Sequence, residues 1–318
     1  MKLKTVFFGT PGYAIPILDY LNENTELTGV VTRSDKQAGR HCIMTPSPVK
    51  TAALARNIPV ATPEKLSDPE FYGWLSQKRP EIAVVLAYGK IIPADILKLF
   101  VRGNINIHFS LLPSYRGAAP VQWAIINGEK ETGVTSFMMD EKLDTGKIIC
   151  QKKAGIELND DLESLRSKLV GISVSVLEES VEKLVGGVPL AGQAGAVSYA
   201  PKLKKSDGKI DWSMPAEKIY NIARGTKPSP CAYVVFTGGA LKLDSMKILD
   251  CEVVPAAPGE YEKFPAGSVV SVVNAKGFVV KCGSGALLVK MVLPSSKNMM
   301  SAWAFLQGYK INIGDVLG

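Results

Sequence analysis

Asn106 and His108 stand two residues apart in the run NIHFSLLPSYRGAAP, and Asp144 follows in LDTG. An amide, an imidazole and a carboxylate are the groups needed to move an acyl group onto an amine, because hydrogen-bond donors steady the oxyanion and a base takes up the amine proton. Residues two apart in a β-strand point to one face, so Asn106 and His108 can reach the same reacting atom. The chain holds only one other histidine, His41. A lone histidine on an apolar strand is often a packed core residue; Asn106 on the same face and the proline-containing loop beyond it turn the reading toward chemistry. Asp140 and Asp144 both lie near enough in sequence to partner His108. Asp140 ends an apolar run and suits a turn cap, whereas Asp144 sits before Gly146 in a loop that can bend inward and is preferred.

Such groups need a strand end to hold them. Asn104 to His108 reads as the end of a buried strand, Ser110 to Pro113 turns the chain, and Arg116-Gly117 extends the loop. Open α/β sheets carry their sites in this place, outside the carboxyl ends of the strands. The first half of the chain alternates apolar runs (Thr5 to Phe8, Leu27 to Val31, Ile82 to Ala87, Ile105 to His108) with helical stretches near Ala14 to Asn22, Pro48 to Asn57, Pro69 to Lys78 and Pro93 to Phe100. That alternation predicts an α/β, Rossmann-like, doubly wound and mostly parallel sheet. Val134 to Met139 and Ile148 to Lys152 suggest a hairpin-type extension, and Asp161 to Leu184 a long helix. GGVPLAGQAG, Gly186 to Gly195, is linker-like. Beyond it, a helix over Pro215 to Arg224 and five β-rich runs (Cys231 to Phe236, Leu241 to Leu249, Gly267 to Val273, Gly277 to Lys281, Ala286 to Leu293) fit a small C-terminal β-barrel of the oligonucleotide-binding, OB-like type. The expected division is a catalytic domain over 1–188, a linker over 189–206 and the barrel over 207–318.

With 318 residues and 46% hydrophobic content the chain belongs with two-domain globular proteins rather than disordered ones. The basic start MKLKTVFFGTPG has an apolar run of only Val6 to Phe8 and no small-residue cleavage site, so it reads as a first strand, not a signal peptide. No stretch approaches the roughly 18 apolar residues of a membrane helix. The five cysteines (Cys42, Cys150, Cys231, Cys251, Cys282) are scattered without a C-x-x-C pair, which fits reduced cytoplasmic thiols and no zinc site. Residues 1–199 carry 22 Lys and Arg against 21 Asp and Glu, while residues 200–318 carry 15 against 9, out of a net charge of +7. A basic second domain invites a polyanionic partner such as nucleic acid; a solvated basic face is the plainer alternative.

Two motifs are set aside. Gly9-Thr10-Pro11-Gly12 follows a strand but lacks G-x-G-x-x-G, and the next strand ends Val30-Val31-Thr32-Arg33 without an acidic residue, which favours a tight strand-to-helix turn over a nicotinamide site. Asp144-Thr145-Gly146 matches the aspartic-protease triplet, yet there is no second D-T-G to share a proton. Arg33 to Lys50 is long for a strand-to-helix connection and carries cations and two prolines, so it reads as a mobile substrate clamp or a surface excursion.

Taken together, FGTPGYA, AGR…PSPVK, VVLAYGKIIP, NIHFSLLPSYRGAAP, ETGVTSFMMDEKLDTG and KIDW closely resemble the methionyl-tRNA formyltransferases, through most of the chain. The N-x-H…SLLP…D-x-G set is common to formyltetrahydrofolate-dependent transferases and by itself names the donor, not the acceptor. The PSPVK loop and the basic second domain, opened by Lys202, Lys204, Lys205 and Lys209, select the tRNA enzymes within that group. The alternatives are a formyltransferase acting on a sugar-nucleotide amine or another small amine, and a non-catalytic nucleic-acid binder, against which intact Asn106, His108 and Asp144 speak. Phe109 replaces a common glycine, His41-Cys42-Ile43 follows Arg40 where lysines are usual, and Ser229 stands where a tryptophan often does.

The resemblance implies transfer of a formyl group from 10-formyltetrahydrofolate to the α-amine of methionyl initiator tRNA, for translation initiation, with no metal and no covalent nucleophile. In that scheme Asn106 and protonated His108 donate to the oxyanion, and Asp144 orients His108 and takes up the amine proton. Ser110, Leu111, Leu112 and Pro113, with Val84, Leu86 and Tyr88, would line the folate pocket. Arg40 and Lys202, Lys204, Lys205 and Lys209 would meet tRNA. The implied protein is a cytoplasmic monomer of bacterial type.

Overall fold

In this computed structural model residues 2–38, 43–236, 243–255, 259–309 and 311–318 are described. The apolar runs of the first half become strands β1 (Lys4–Gly9), β2 (Glu26–Val31), β3 (Lys36–Ala38), β4 (Ile43–Thr45), β5 (Val60–Ala61), β6 (Ile82–Leu86), β7 (Asn104–His108), β8 (Glu131–Met138) and β9 (Ile148–Gly155). Helices α1 (Ile15–Asn24), α2 (Pro48–Ala55), α3 (Pro69–Gln77), α4 (Ala94–Leu97), α5 (Pro120–Asn127) and α6 (Leu162–Val185) lie between and after them. Local chemistry sets their starts. Ser47 accepts from the Lys50 N–H ahead of α2 and Asp68 from the Glu70 N–H ahead of α3, each followed by a proline whose missing N–H costs the first turn nothing.

Seven strands form one sheet in the order β5-β2-β1-β6-β7-β8-β9. The ladders from β5 to β7 are parallel, and β8 and β9 add antiparallel. Every residue of β6 is buried, as a parallel strand covered on both faces requires. Val6, Phe8, Ala83 and Val85 pack from the sheet against Leu75, Ile96 and Phe100.

The 33–50 connection, expected to lack packing of its own, contains a short hairpin in which Lys36–Ala38 pairs with Ile43–Thr45. Its base is closed by the Lys50 Nζ to Asp35 Oδ1 contact at 2.7 Å and by the Thr32 and Ser47 hydroxyls, also 2.7 Å apart. Gly39 to Cys42, including Arg40 and His41, lie outside the described residues.

The second half gives α7 (Ala216–Gly225), β10 (Ala232–Val235), β11 (Ser245–Val254), β12 (Val269–Val273), β13 (Gly277–Lys281), β14 (Ala286–Pro294), β15 (Met300–Ser301) and α8 (Ala302–Tyr309). These strands form an antiparallel sheet in the order β10-β11-β14-β13-β12, with β15 on β14. The chain divides into two compact units: 1–120 with 131–155 and 164–201, and 121–130 with 156–163 and 202–318.

In the second unit, Ile126 of α5 shares a core with Ile219 and Ile222 of α7, Phe278 of β13 and Phe305 of α8. Gly225 permits the approach of α7, since a Cβ there would fall 2.7 Å from Ile126. Lys218 Nζ donates to the Ile126 carbonyl at 2.9 Å near the end of α5. No described helix is long and apolar enough to cross a membrane. The described cysteines, Cys150, Cys231, Cys251 and Cys282, are free and buried.

Candidate active site

β7 is an interior strand, paired in parallel with β6 and antiparallel with β8 through His108 and Thr135. Its alternation puts Ile105 and Ile107 into the core and leaves Asn104, Asn106 and His108 on the other face. Asn104 is spent structurally, donating to the Leu97 carbonyl at 3.0 Å. Asn106 is half-buried, and among the described residues its amide nitrogen meets only the Met139 sulfur, at 4.0 Å. A thioether is a weak acceptor, so this donor is available to a ligand.

His108 is 7% exposed. Its Nε2 lies 3.0 Å from the Tyr115 carbonyl and its Nδ1 3.9 Å from Asp144 Oδ2. Nε2 is thus within hydrogen-bond reach of a carbonyl, whereas Nδ1 meets the carboxylate at ion-pair distance. Asp144 Oδ2 accepts the Gly117 N–H at 2.8 Å. Asp140, the other candidate, is exposed and uses its carboxylate within its own turn, accepting from the Lys142 N–H and the Thr145 hydroxyl. Asp144 has φ of 52° and Tyr115 φ of 61°, a left-handed region that non-glycine residues enter rarely and Asp more readily than most.

The loop after β7 is fastened from beneath. The Thr135 hydroxyl donates to the Ser110 carbonyl at 2.6 Å and accepts from the Leu112 N–H at 3.2 Å and from Gln151 Nε2 at 2.8 Å. Ser110 is fully buried with its hydroxyl on the Ser114 carbonyl; Leu112 and Pro113 are buried and Leu111 half-buried. Phe109 points away from His108 and lies 6.0 Å, centroid to centroid, from Tyr13, over which the Arg166 guanidinium sits at 4.7 Å. The departure at Phe109 thus fills the packed side of the strand end.

Val84, Leu86 and Tyr88 are all nearly inaccessible. Ala87 takes φ of 51°, and beyond it Tyr88 joins the face of Ala83 and Val85, against Phe8 and Ile92. Burial pushes the Tyr88 phenol up to about 12, opposed by Arg33. Ala87 and Gly89 are the exposed residues of this segment.

Sequence reasoning missed the segment that follows α6. Within the expected linker, Ala191 accepts from the Ile148 N–H at 2.9 Å, and Ser198 and Ala200 pair with the site loop. Arg116 donates its N–H to the Ser198 carbonyl at 2.9 Å and accepts from the Ala200 N–H at 2.7 Å, while the Tyr115 N–H reaches the Ser198 hydroxyl at 2.9 Å. Gly117, at φ of 131°, faces the Ala200 carbonyl so closely that a Cβ would fall 2.5 Å from it. Gln193 bridges Arg116 and the 144–146 turn. A small-residue stretch hides such a role, because nothing in its composition marks one amide among alanines and glycines.

Lys202, Lys204, Lys205 and Lys209 are exposed, with Lys205 Nζ 5.8 Å from the Tyr233 ring. Among the described residues no group of three or more His, Cys, Asp or Glu side chains is placed to hold a metal ion.

A mostly parallel sheet brings an amide, an imidazole and a carboxylate together near one strand end, groups suited to acyl transfer, and the chain's class follows from comparison with known proteins. The formyl transferase family matches residues 1–181 and the formyl transferase C-terminal domain residues 202–310; the chain belongs to this family. It is 42% identical over 319 residues to the methionyl-tRNA formyltransferase of Thermodesulfovibrio yellowstonii, covering 99% of this chain and 98% of that one. With the methionyl-tRNA formyltransferase of Caldanaerobacter subterraneus subsp. tengcongensis it shares 40% identity over 319 residues, covering 99% and 100%. Among solved structures, the sugar 3N-formyl transferase WlaRD, solved in the presence of dTDP and 5-N-formyl-THF, superposes with a TM-score of 0.65 at 20% identity, covering 94% of this chain and all of that one. That last likeness is one of fold.

Proposed function

We propose that the chain transfers the formyl group of 10-formyltetrahydrofolate to the α-amine of methionyl initiator tRNA, as a cytoplasmic enzyme of translation initiation. The observation that carries the reading is the convergence of Asn106, with its uncommitted amide donor, and the His108–Asp144 pair on one strand end, in a chain about 40% identical along its whole length to enzymes bearing that name. Asn106 and His108 donate to the oxygen that gains charge as the amine attacks the formyl carbon. Asp144 keeps His108 oriented and accepts the amine proton, directly or through water. As the new C–N bond forms, the bond from the formyl carbon to N10 of the folate breaks and N10 regains a proton. For His108 to donate to substrate from Nε2, the Tyr115 carbonyl now 3.0 Å away must yield.

The folate is expected against the Ser110–Pro113 turn and the segment carrying Val84, Leu86 and Tyr88. The exposed Lys202, Lys204, Lys205 and Lys209 are suited to phosphates, each contact making binding salt-dependent. Arg40 is assigned to the acceptor end of the tRNA on sequence grounds. The sugar-nucleotide alternative rests on a neighbour of 20% identity and is the weaker reading. The deciding experiment is an acceptor panel with 10-formyltetrahydrofolate: methionyl initiator tRNA, elongator tRNA, glycinamide ribonucleotide and an amino-sugar nucleotide. Formylation of the initiator species alone is expected; transfer to a small amine in preference to it would overturn the proposal.

A further inference from the structure

The Asp144 carboxylate is held by a backbone N–H rather than by a side chain, so its position depends on whatever fastens its turn to the loop carrying Gly117. Gln193 makes that connection. Its Nε2 donates to the carbonyls of Asp144 and Gly146, both at 2.9 Å, and its Oε1 accepts from Arg116 Nε at 3.2 Å and Nη2 at 2.6 Å. Both amide N–H groups and the carbonyl oxygen are thereby used, and the guanidinium presents two donors of its fork to one acceptor. The residues around Gln193 (Ala191, Gly192, Ala194 and Gly195) are exposed, whereas Gln193 itself is half-buried.

We propose that Gln193 is a positioning residue for formyl transfer: its amide locks the Asp144–Gly146 turn to Arg116, so that the Gly117 N–H and the Asp144 carboxylate stay in register with His108. The proposal rests on the formyl-transfer reading above. An amide is required at this length. A glutamate keeps the acceptor for Arg116 but turns a carboxylate oxygen on two carbonyls, and an asparagine is one methylene too short to span both sides. Gln193 touches no reacting atom; it acts through the placement of Asp144, and a displacement of about 1 Å at a reacting group costs on the order of 10² in rate.

The test uses the full chain with Gln193→Ala and Gln193→Glu, measuring formylation of methionyl initiator tRNA, the KM of both substrates, the unfolding midpoint and amide hydrogen exchange at Gly117. The expected result is a kcat lower by about tenfold to a hundredfold in both variants. The KM values should stay within about threefold, the unfolding midpoint should be little changed, and the Gly117 amide should exchange about tenfold faster or more, because its acceptor has loosened. The proposal is overturned if kcat stays within twofold of the parent in both variants, if Gln193→Glu retains full activity, if the loss is confined to KM, or if Gly117 exchange is unchanged. A parent chain that transfers no formyl group to methionyl-tRNA overturns the underlying reading instead, while Gly117 exchange still reports on the clamp.

Discussion

Replacing Asp144 with asparagine removes one charge, and with it the proton acceptor, while leaving the local geometry almost untouched. The side-chain amide oxygen of the variant still accepts the Gly117 N–H now 2.8 Å from Oδ2, and the φ of 52° at this position is one that asparagine tolerates as well as aspartate. What disappears is a carboxylate 3.9 Å from His108 Nδ1, between side chains only 8% and 10% exposed. A unit charge pair at that separation, in an effective dielectric of about 20, interacts by ~4 kcal/mol. Part of that attraction already exists before reaction. If about half of it develops as the oxyanion forms and the amine proton departs, the barrier rises by ~2 kcal/mol and the rate falls by roughly 30-fold. The assay is single-turnover formylation of methionyl initiator tRNA at saturating 10-formyltetrahydrofolate, with the urea midpoint measured alongside to show an intact fold. A rate within tenfold of the parent would remove the carboxylate's charge from the mechanism.

Asn106→Ala deletes a donor whose described partner is a sulfur 4.0 Å away, so it should cost about 10² to 10³ in rate with little loss of stability; a drop of less than about tenfold would leave Asn106 without an oxyanion role. Combined Lys202→Glu, Lys205→Glu and Lys209→Glu should weaken tRNA binding and flatten its salt dependence by up to about one unit of slope per lost phosphate contact, leaving folate binding unchanged; an unaltered slope would mark these lysines as solvated surface. Full-length charge reversal is a cleaner test than a chain ending near Gly195, which would lack the Ser198 and Ala200 groups that pair with Arg116. Glu179 is drawn down from its usual 4.5 to about 2 by Lys183, then by Cys150 and Lys152. Its stabilising contribution is therefore present above pH 4.5 and lost as pH falls toward 2; with a side chain 39% exposed, solvent screening holds it below ~1 kcal/mol. Glu179→Gln should unfold at slightly lower urea at pH 7 and match the parent near pH 2, and a gap that persists at low pH would count against this account.

The strand carrying Asn106 and His108 was legible because NINIH ends in a turn sequence, and period-two alternation then fixes which residues share a face. The apolar runs of β1, β2 and β6 were equally plain, since parallel strands buried on both sides leave a continuous apolar signature. α5 was not legible: PVQWAIIN shows no clean polar face from which a helical stripe could be read. β11 runs to Val254, past the expected end at Leu249, because register shifts at Ile248 and Asp250 let the ladder with β14 continue. The face of Tyr88 turns on one positive φ at Ala87, a backbone choice its sequence does not announce. The role of Gln193 is set by partners 47 to 77 residues away in the chain, beyond the reach of any local pattern.

The second unit draws α5 and the chain from 202 onward into one core. During synthesis Ile126 leaves the ribosome long before Phe305, with which it shares that core, and before Leu317, which is fully buried in it. At about 5 to 20 residues per second, the roughly 180 residues from Ile126 to Phe305 take about 10 to 35 s to make. Through that interval the apolar side chains of α5 wait without their final neighbours. Residues of α8 thus complete a core begun at α5, and a nascent chain stalled before α8 is expected to expose α5 to chaperones and proteases.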